Sequence, residues 1–329
     1  MAISKVKLGR AGIETSSLSL GTAGIGNLFH EVTEGDAHDT MQVSFDAGVR
    51  YFDTAPHYGL GLAERRLGGF ISELERSYIT ISSKVGRLIR PNPDYTGGFD
   101  DQGFVVPNNV HRVLDYSYDG VMKSIEESLK RLQIEQLDIV FVHDPDEHEK
   151  EAMEGAFPAL EELRQAKKIR SYGAGMNQSA MLARFAANTD LDVVMCAGRF
   201  SLLEQPALED LIPIAREKGI SIVAAGVFNS GILATDSPKP GQNYNYSPAP
   251  DELVQKAQSL AEYCRATGFS LPQVAAQFPF LQSPVKVVCL GARNGLQAKR
   301  NVSLFENEVP REFFESMAEE GLINEAVLV

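Results

Sequence analysis

The sequence predicts an α/β chain folded as a (β/α)8 barrel, a single domain over residues 1–329, with an N-terminal hairpin and long loops at the carboxyl ends of the strands. Three observations lead there. Eight short apolar runs of strand character are spaced along the chain, amphipathic helical segments separate them in the alternation of parallel βαβ units, and ionisable side chains stand where several runs end. The alternative, a doubly wound sheet, normally opens with a G-x-G-x-x-G turn after its first strand, and Gly21, Gly24 and Gly26 in GTAGIGNLF do not have that spacing.

In chain order, KVKLGRAGIETSS reads as a hairpin turning around Gly9 to Gly12, placed to plug the bottom of the barrel. Strands follow at 18–23 (LSLGTA), 49–55 (VRYFDTA), 78–85 (YITISSKV), 137–144 (LDIVFVHD), 169–175 (IRSYGAG), 192–198 (DVVMCAG), 220–226 (ISIVAAG) and 285–292 (VKVVCLGA). Of the helices between them, DGVMKSIEESLKRLQI is the clearest. Val121, Ile125, Leu129 and Leu132 recur at helical spacing and should face the barrel, which leaves Ser124, Ser128 and the i,i+4 pair Glu126 and Lys130 on the polar side. Two stretches exceed an ordinary connection: residues 87–118, rich in Pro, Gly, Asn and aromatics, and residues 237–250. Both leave the carboxyl ends of strands, and the first reads as a functional lid.

Composition narrows the partners. Hydrophobic residues make up 43% and charged residues 23%, ordinary values for a chain with a large core. Forty-four acidic against 31 basic side chains give a net charge of -13, a field that repels phosphate backbones and anionic lipids, so neither nucleic acid nor a membrane surface is an expected partner. Cys196, Cys264 and Cys289 form neither a disulfide framework nor a metal motif, which points to a reducing compartment and no metal. MAISKVKLGR lacks the apolar core of a signal peptide, and no segment approaches the roughly 20 apolar residues of a spanning helix, so a cytoplasmic location is expected. No isolated apolar helix face announces an interface, and the oligomeric state stays open.

The chemistry gathers at strand ends. The second strand delivers Asp53 and then Tyr58, the third Lys84, and the fourth His143. Taken singly, each has an ordinary explanation: a turn or cap aspartate, a lysine reaching for water, a packed tyrosine, a satisfied core histidine. Together, at the same end of three successive strands, they converge on one pocket mouth, which packing alone does not require. A phenol with a pKa near 10 is a poor base at neutral pH unless a cation stabilises the phenolate, and Lys84 can supply that charge. A buried ammonium needs a carboxylate such as Asp53 to stay protonated, and His143 can orient a substrate oxygen toward Tyr58. His57, in the same loop, reads as shaping it rather than reacting. The combination is a proton-transfer site for interconverting an alcohol and a carbonyl.

FDTAPHYG, SSKVGR around Lys84 and DIVFVHDPD around His143 resemble the Asp, Tyr, Lys, His tetrad of the aldo-keto reductase superfamily, and the likeness runs over essentially the whole chain, SIEESLKRLQIEQLDIVFVH included. It implies a (β/α)8 barrel that binds NAD or NADP without a Rossmann domain, with Tyr58 as acid/base, Lys84 and Asp53 as its tuning pair and His143 orienting the substrate. The implied cofactor contacts are Asn177, with Met176 where the family has a serine; Phe228, shifted from the stacking position that Ala225 occupies here; and the backbone amides of Phe228, Ser230 and Gly231 toward the pyrophosphate. GARNGLQAKRN resembles the adenosine-ribose loop, giving Gly291, Arg293, Gln297 and Asn301. Gly291 and Gln297 stand where NADP-preferring members place cations, so NAD is the expected preference, with Arg293 as a partial substitute for those cations.

Within the superfamily, GLGLAERRLGG, KVGRLIRP, VHDPD and AGRFSLLEQ are most similar to dehydrogenases that oxidise the ring-closed form of an aldehyde to a lactone, among them enzymes of D-threo-aldoses, L-fucose and pyridoxal. An aldose oxidised at C1 is the first expectation and pyridoxal, giving 4-pyridoxolactone, the second. A sugar would call on Asp100, Asp101, Asn108, Asn109 or Asn229; pyridoxal would call on Phe29, Tyr95, Phe99, Phe104 or Phe228. NADPH-dependent carbonyl reduction and a non-enzymatic channel-subunit role are the remaining alternatives.

Overall fold

The computed structural model describes residues 3–245 and 247–329; the first two residues of MAISKVKLGR and one position of the 237–250 loop lie outside them. Fourteen strands occur among the described residues: β1 (Lys5–Leu8), β2 (Ile13–Ser16), β3 (Leu18–Gly21), β4 (Tyr51–Asp53), β5 (Thr80–Val85), β6 (Arg87–Pro91), β7 (Val110–Leu114), β8 (Leu137–His143), β9 (Ile169–Met176), β10 (Val193–Ala197), β11 (Ser221–Ala225), β12 (Asn243–Tyr244), β13 (Ser247–Pro248) and β14 (Val285–Gly291). Eight of them close a barrel in the order β3-β4-β5-β8-β9-β10-β11-β14, every neighbour parallel. All eight strands expected from sequence are there, shorter by a residue or two at some ends.

The strands are apolar on both sides because both sides are covered; every residue of β5 and β8 is buried. Tyr51, Ile139, Phe141, Val193, Met195, Val223, Val287 and Cys289 pack together inside the barrel, and Leu8 and Ile13 join them from below. The β1–β2 hairpin is therefore the plug its sequence suggests. It is pinned to the amino ends of strands by the Gly9 amide on Ser221 Oγ at 2.9 Å and by Arg10 on Asp190 at 2.7 Å and Asp192 at 3.2 Å.

The helix Tyr118–Leu132 starts at Ser117, whose hydroxyl accepts from the Gly120 amide, and ends at Gln133 in the left-handed region. Val121, Ile125 and Leu132 are buried as expected, and Glu126 with Lys130 forms the exposed pair. Ser124 and Ser128 are buried rather than solvated. The helix packs against its neighbour Leu62–Ile71 as well as the barrel, so its covered face is wider than the apolar stripe, and serine is small enough to fit there.

The 87–118 insertion is a folded arm, not an irregular loop. β6 and β7 pair antiparallel from Arg87 opposite Leu114 to Pro91 opposite Val110, and bridges join Leu28 to Phe104 and Phe99 to Pro107. Leu60, Phe104 and Val106 form a small core of their own that anchors the arm over the carboxyl face. No helix among the described residues is long and apolar enough to cross a membrane.

Candidate active site

Alternation along a strand decides which side chains face the barrel axis. Tyr51 and Asp53 share a face of β4, Ser82 and Lys84 a face of β5, and Ile139, Phe141 and His143 a face of β8. Tyr51, Ile139 and Phe141 belong to the inner cluster, so Asp53, Lys84 and His143 stand one layer above it at the carboxyl end. Register aligns them: Asp53 lies opposite Ser82 and Lys84 opposite Phe141.

Tyr58 comes in on the loop after β4. Gly59, at φ 61°, has no room for a Cβ beside the Gly26 carbonyl, and a Cβ on Gly26 would lie 3.0 Å from the Tyr58 carbonyl carbon. The two glycines let the turn at 24–26 press directly on the Tyr58 loop. The phenol ring stacks on Phe104 with centroids 6.2 Å apart and meets the His143 ring edge-on at 5.9 Å.

The four residues singled out from sequence are thus together. The Lys84 ammonium donates to Asp53 Oδ2 at 2.6 Å, to the Thr54 carbonyl at 3.0 Å and to the Tyr58 hydroxyl at 3.0 Å. Asp53 accepts a second bond from Ser82 Oγ at 2.6 Å. Burial pulls the Lys84 ammonium down, but Asp53 and the Tyr58 phenol more than reverse this, and its pKa is raised overall. Burial also dominates at Tyr58, whose phenol is raised well above its ordinary value; the adjacent Lys84 charge opposes the shift without reversing it. The cation is where the sequence argument puts it, yet the desolvated phenol holds its proton more firmly than a free tyrosine.

Burial, then the charges of Arg87 and Lys84, hold His143 well below its ordinary pKa. Burial with Arg112, Arg87 and Lys84 lowers His57 to about 2, so both rings are neutral. The His57 main-chain carbonyl accepts from Arg112 at 2.9 Å, and its ring lines the cavity 5.5 Å from His143.

Tyr58, Lys84, His57 and His143 open into a cavity of about 460 Å³, and a second cleft of about 760 Å³ shares Leu28, Asn177 and Ala197 with it. Asn177 sits at the junction of the two. Ser230 lines the outer cleft, and Ser230 and Gly231 both adopt positive φ, at 58° and 97°. Two of the residues expected to contact the cofactor have partners within the chain. The Phe228 side chain packs against the core rather than forming a wall of either cavity, and the Gly231 amide already donates to the Phe228 carbonyl at 2.9 Å. In the 291–301 loop the side chains hold the loop itself: Gln297 Oε1 accepts from the Arg293 amide at 3.1 Å, and Asn301 Nδ2 donates to the Gly291 carbonyl at 3.0 Å.

Sequence reasoning passed over a network that braces the junction. Arg199 donates to the Asn177 carbonyl at 2.9 Å, to Glu204 at 3.0 Å and to the Tyr244 hydroxyl at 2.9 Å, and Tyr244 in turn donates to Glu204. Asn229 Oδ1 is buried beside the outer cleft with no hydrogen-bond partner among the described residues. A cleft with an unpartnered amide oxygen and left-handed backbone, adjoining the cavity that Tyr58 lines, has donors and acceptors that would suit a dinucleotide. Of the substrate walls considered from sequence, Phe104 lines the inner cavity, while Asp100 is buried against Arg112, and Tyr95 and Phe99 are exposed.

The model of the Aldo/keto reductase family matches residues 17–320. D-threo-aldose 1-dehydrogenase of Pseudomonas sp is 40% identical over 316 residues, covering 95% of this chain and 96% of that protein. Pyridoxal 4-dehydrogenase of Microbacterium luteolum is 37% identical over 341 residues, covering 98% and 99%. Among solved structures, the holo form of an aldo-keto reductase from Bacillus halodurans shares the fold, with a TM-score of 0.76 at 24% identity over 99% of both chains. With its closed parallel barrel and full-length match, the chain belongs to the aldo/keto reductase family and is an NAD(P)-dependent oxidoreductase.

Proposed function

We propose that the protein oxidises a cyclic hemiacetal to a lactone, with an aldose at C1 as substrate and NAD as the preferred acceptor. The observation that carries this is the Tyr58 hydroxyl, 3.0 Å from Lys84 and facing a cavity walled by Arg87, Gln102, Asp144 and Asp146 as well as by Leu28 and Phe104. Such a wall offers many polar partners to a hydroxylated ring. Resemblance to D-threo-aldose 1-dehydrogenase supports the same reading.

A bound nicotinamide would supply the hydride acceptor. Acting as the phenolate that Lys84 stabilises, Tyr58 takes the proton of the anomeric hydroxyl while the hydride of the same carbon passes to the acceptor, so that C–H and O–H break and a lactone carbonyl forms. Lys84, held charged by Asp53, stabilises the phenolate. Neutral His143 donates a hydrogen bond to the reacting oxygen and fixes its approach to Tyr58. Asn177, Ser230 and the 291–301 loop with Gly291, Arg293, Gln297 and Asn301 would hold the dinucleotide. The lack of a cation at Gly291 and Gln297 supports NAD over NADP. The whole chain serves as one barrel domain, and the three unpaired, buried cysteines support a reducing cytoplasmic setting.

Pyridoxal is the second reading. Phe104, stacked on Tyr58 in the cavity wall, favours an aromatic ring, and the pyridoxal 4-dehydrogenase relative supports it. The test is NADH or NADPH formation with NAD or NADP and L-fucose, D-arabinose, L-galactose or pyridoxal. Oxidation of an aldose with NAD is expected. Failure of every oxidation, with simple aldehydes reduced by NADPH, would replace lactone formation by general carbonyl reduction.

A further inference from the structure

Two side chains of the inner cavity have no part in the proton relay. Arg87 lies three residues beyond Lys84. Between them Gly86 turns at φ 105°, where a Cβ would run into the Tyr116 ring, and the turn brings Arg87 over the cavity. Asp144 directly follows His143 and adopts φ 43°, a left-handed conformation uncommon for a residue with a side chain. It is held there from two sides. Its amide donates to the Gly175 carbonyl at 3.1 Å, and the buried Tyr116 hydroxyl lies 2.9 Å from its carbonyl and 2.7 Å from that of His143. Strain maintained by neighbouring contacts at a cavity wall points to use of the side chain.

The two side chains meet. Arg87 Nη2 donates to Asp144 Oδ2 at 3.0 Å, and the same carboxylate oxygen lies 3.5 Å from His143 Nε2. Arg87 Nε is buried and without a partner among the described residues. A buried guanidinium donor left open next to a carboxylate that still has acceptor capacity matches a ligand group that both donates and accepts, which is a hydroxyl. Two adjacent hydroxyls fit best, one giving its proton to Asp144 and one receiving from the Arg87 guanidinium.

Charge selects among hydroxylated ligands. Lys84 and Arg87 are matched by Asp144 and Asp146 in the cavity wall, and Asp53 lies behind Lys84, so no cation is left over for a phosphate or carboxylate. The two histidines that line the cavity are neutral. An anionic substrate would face two carboxylates with its counter-charges already paired, whereas a neutral polyol exchanges hydrogen bonds without separating the pair.

We propose that Arg87 and Asp144 form a clamp that reads a vicinal diol on the substrate ring, so that neutral polyhydroxylated hemiacetals are selected over anionic and hydroxyl-poor ones. The inference rests on the aldose reading above and names the residues that would carry it.

The test compares an aldose from the panel with 2-hydroxytetrahydropyran, a cyclic hemiacetal with no other ring hydroxyl, and with the aldose phosphate. In the wild type, kcat/KM should favour the aldose over 2-hydroxytetrahydropyran by about 100-fold or more, because buried polar groups left unpaired discriminate strongly. Asp144→Asn and Arg87→Leu should each reduce that ratio by about ten-fold, the worth of one charge-assisted hydrogen bond, chiefly through KM for the aldose. Equal losses on both substrates, or an unchanged ratio, would overturn the clamp, as would wild-type preference for the phosphate. Single-deoxy sugars assayed with the wild type give the same reading without altering the chain: removal of either of two adjacent hydroxyls should raise KM, and indifference at every position overturns the clamp. A wild type that oxidises 2-hydroxytetrahydropyran or pyridoxal but no aldose defeats the aldose reading itself, and the clamp with it, before any variant is made.

Discussion

The Tyr58 hydroxyl accepts a hydrogen bond from the Lys84 ammonium at 3.0 Å, deep enough that burial raises the phenol's pKa despite the adjacent charge. The arrangement keeps the resting phenol protonated and sets a cation directly against its oxygen. Tyr58→Phe retains the ring that stacks on Phe104 and removes only the oxygen. Turnover should fall by about 10²- to 10⁴-fold, the range of general acid–base catalysis, while NADH binding measured by fluorescence titration is retained. Turnover at the wild-type rate would rule Tyr58 out as the acid/base.

The Lys84–Asp53 pair also bears on stability. Both charges are buried and 2.6 Å apart, so removing one partner strands the other. Lys84→Met and Asp53→Leu are each expected to cost about 3–5 kcal/mol in urea unfolding, whereas the double variant should cost clearly less than the sum. Additive losses would mean that the two side chains contribute independently.

Acid should destabilise the fold through its two cavity histidines. His57 is lowered to about 2 and His143 is also depressed, chiefly by burial, against an ordinary value of 6.5. Below pH 6.5 the unfolded chain takes up protons that the folded chain refuses, so stability falls as pH drops. Each fully refusing histidine contributes a slope of about 1.4 kcal/mol per pH unit, and the two together about 2.7. Replacing one, as in His57→Gln, should remove about half of that slope between pH 6 and pH 4. Urea midpoints across this range give the slope directly, and an unchanged slope would show that His57 is protonated in the fold.

Sequence periodicity made the barrel legible because a strand covered on both sides must be apolar over its whole length, and eight such runs separated by amphipathic helices have few other solutions. The tetrad was legible for a related reason: two-residue alternation puts Asp53, Lys84 and His143 on the same side as the inner core once the strand ends are known. Contacts that depend on chain reversals were not. Arg87 stands three positions from Lys84, yet only the left-handed turn at Gly86 brings it over the cavity. Asp100 and Arg112 lie in the arm, twelve residues apart, and pair only because β6 and β7 fold back on each other. Ser124 and Ser128 read as solvated because a polar label says nothing about a second helix packed over the same face.

The brace at the cavity junction ties three chain segments to one guanidinium. Arg199, just beyond β10, holds the Asn177 carbonyl after β9 at 2.9 Å and reaches the Tyr244 hydroxyl on β12 at the same distance, with Glu204 balancing its charge. Asn177 stands where the two cavities meet, so its position depends on this side chain. Arg199→Met keeps the length of the stem and removes all the donors. It leaves Glu204 and the Asn177 carbonyl without their main partner, a loss of about 1.5–3 kcal/mol for a hydrogen bond to a charged group. On the proposed assignment of Asn177 to the nucleotide, the effect should appear as NADH affinity weakened about ten-fold or more, with kcat at saturating cofactor reduced far less. Tyr244→Phe, which removes one arm and leaves Arg199 on Glu204, should weaken affinity less than Arg199→Met. A loss of kcat with unchanged NADH affinity would place Asn177 on the substrate side of the junction instead.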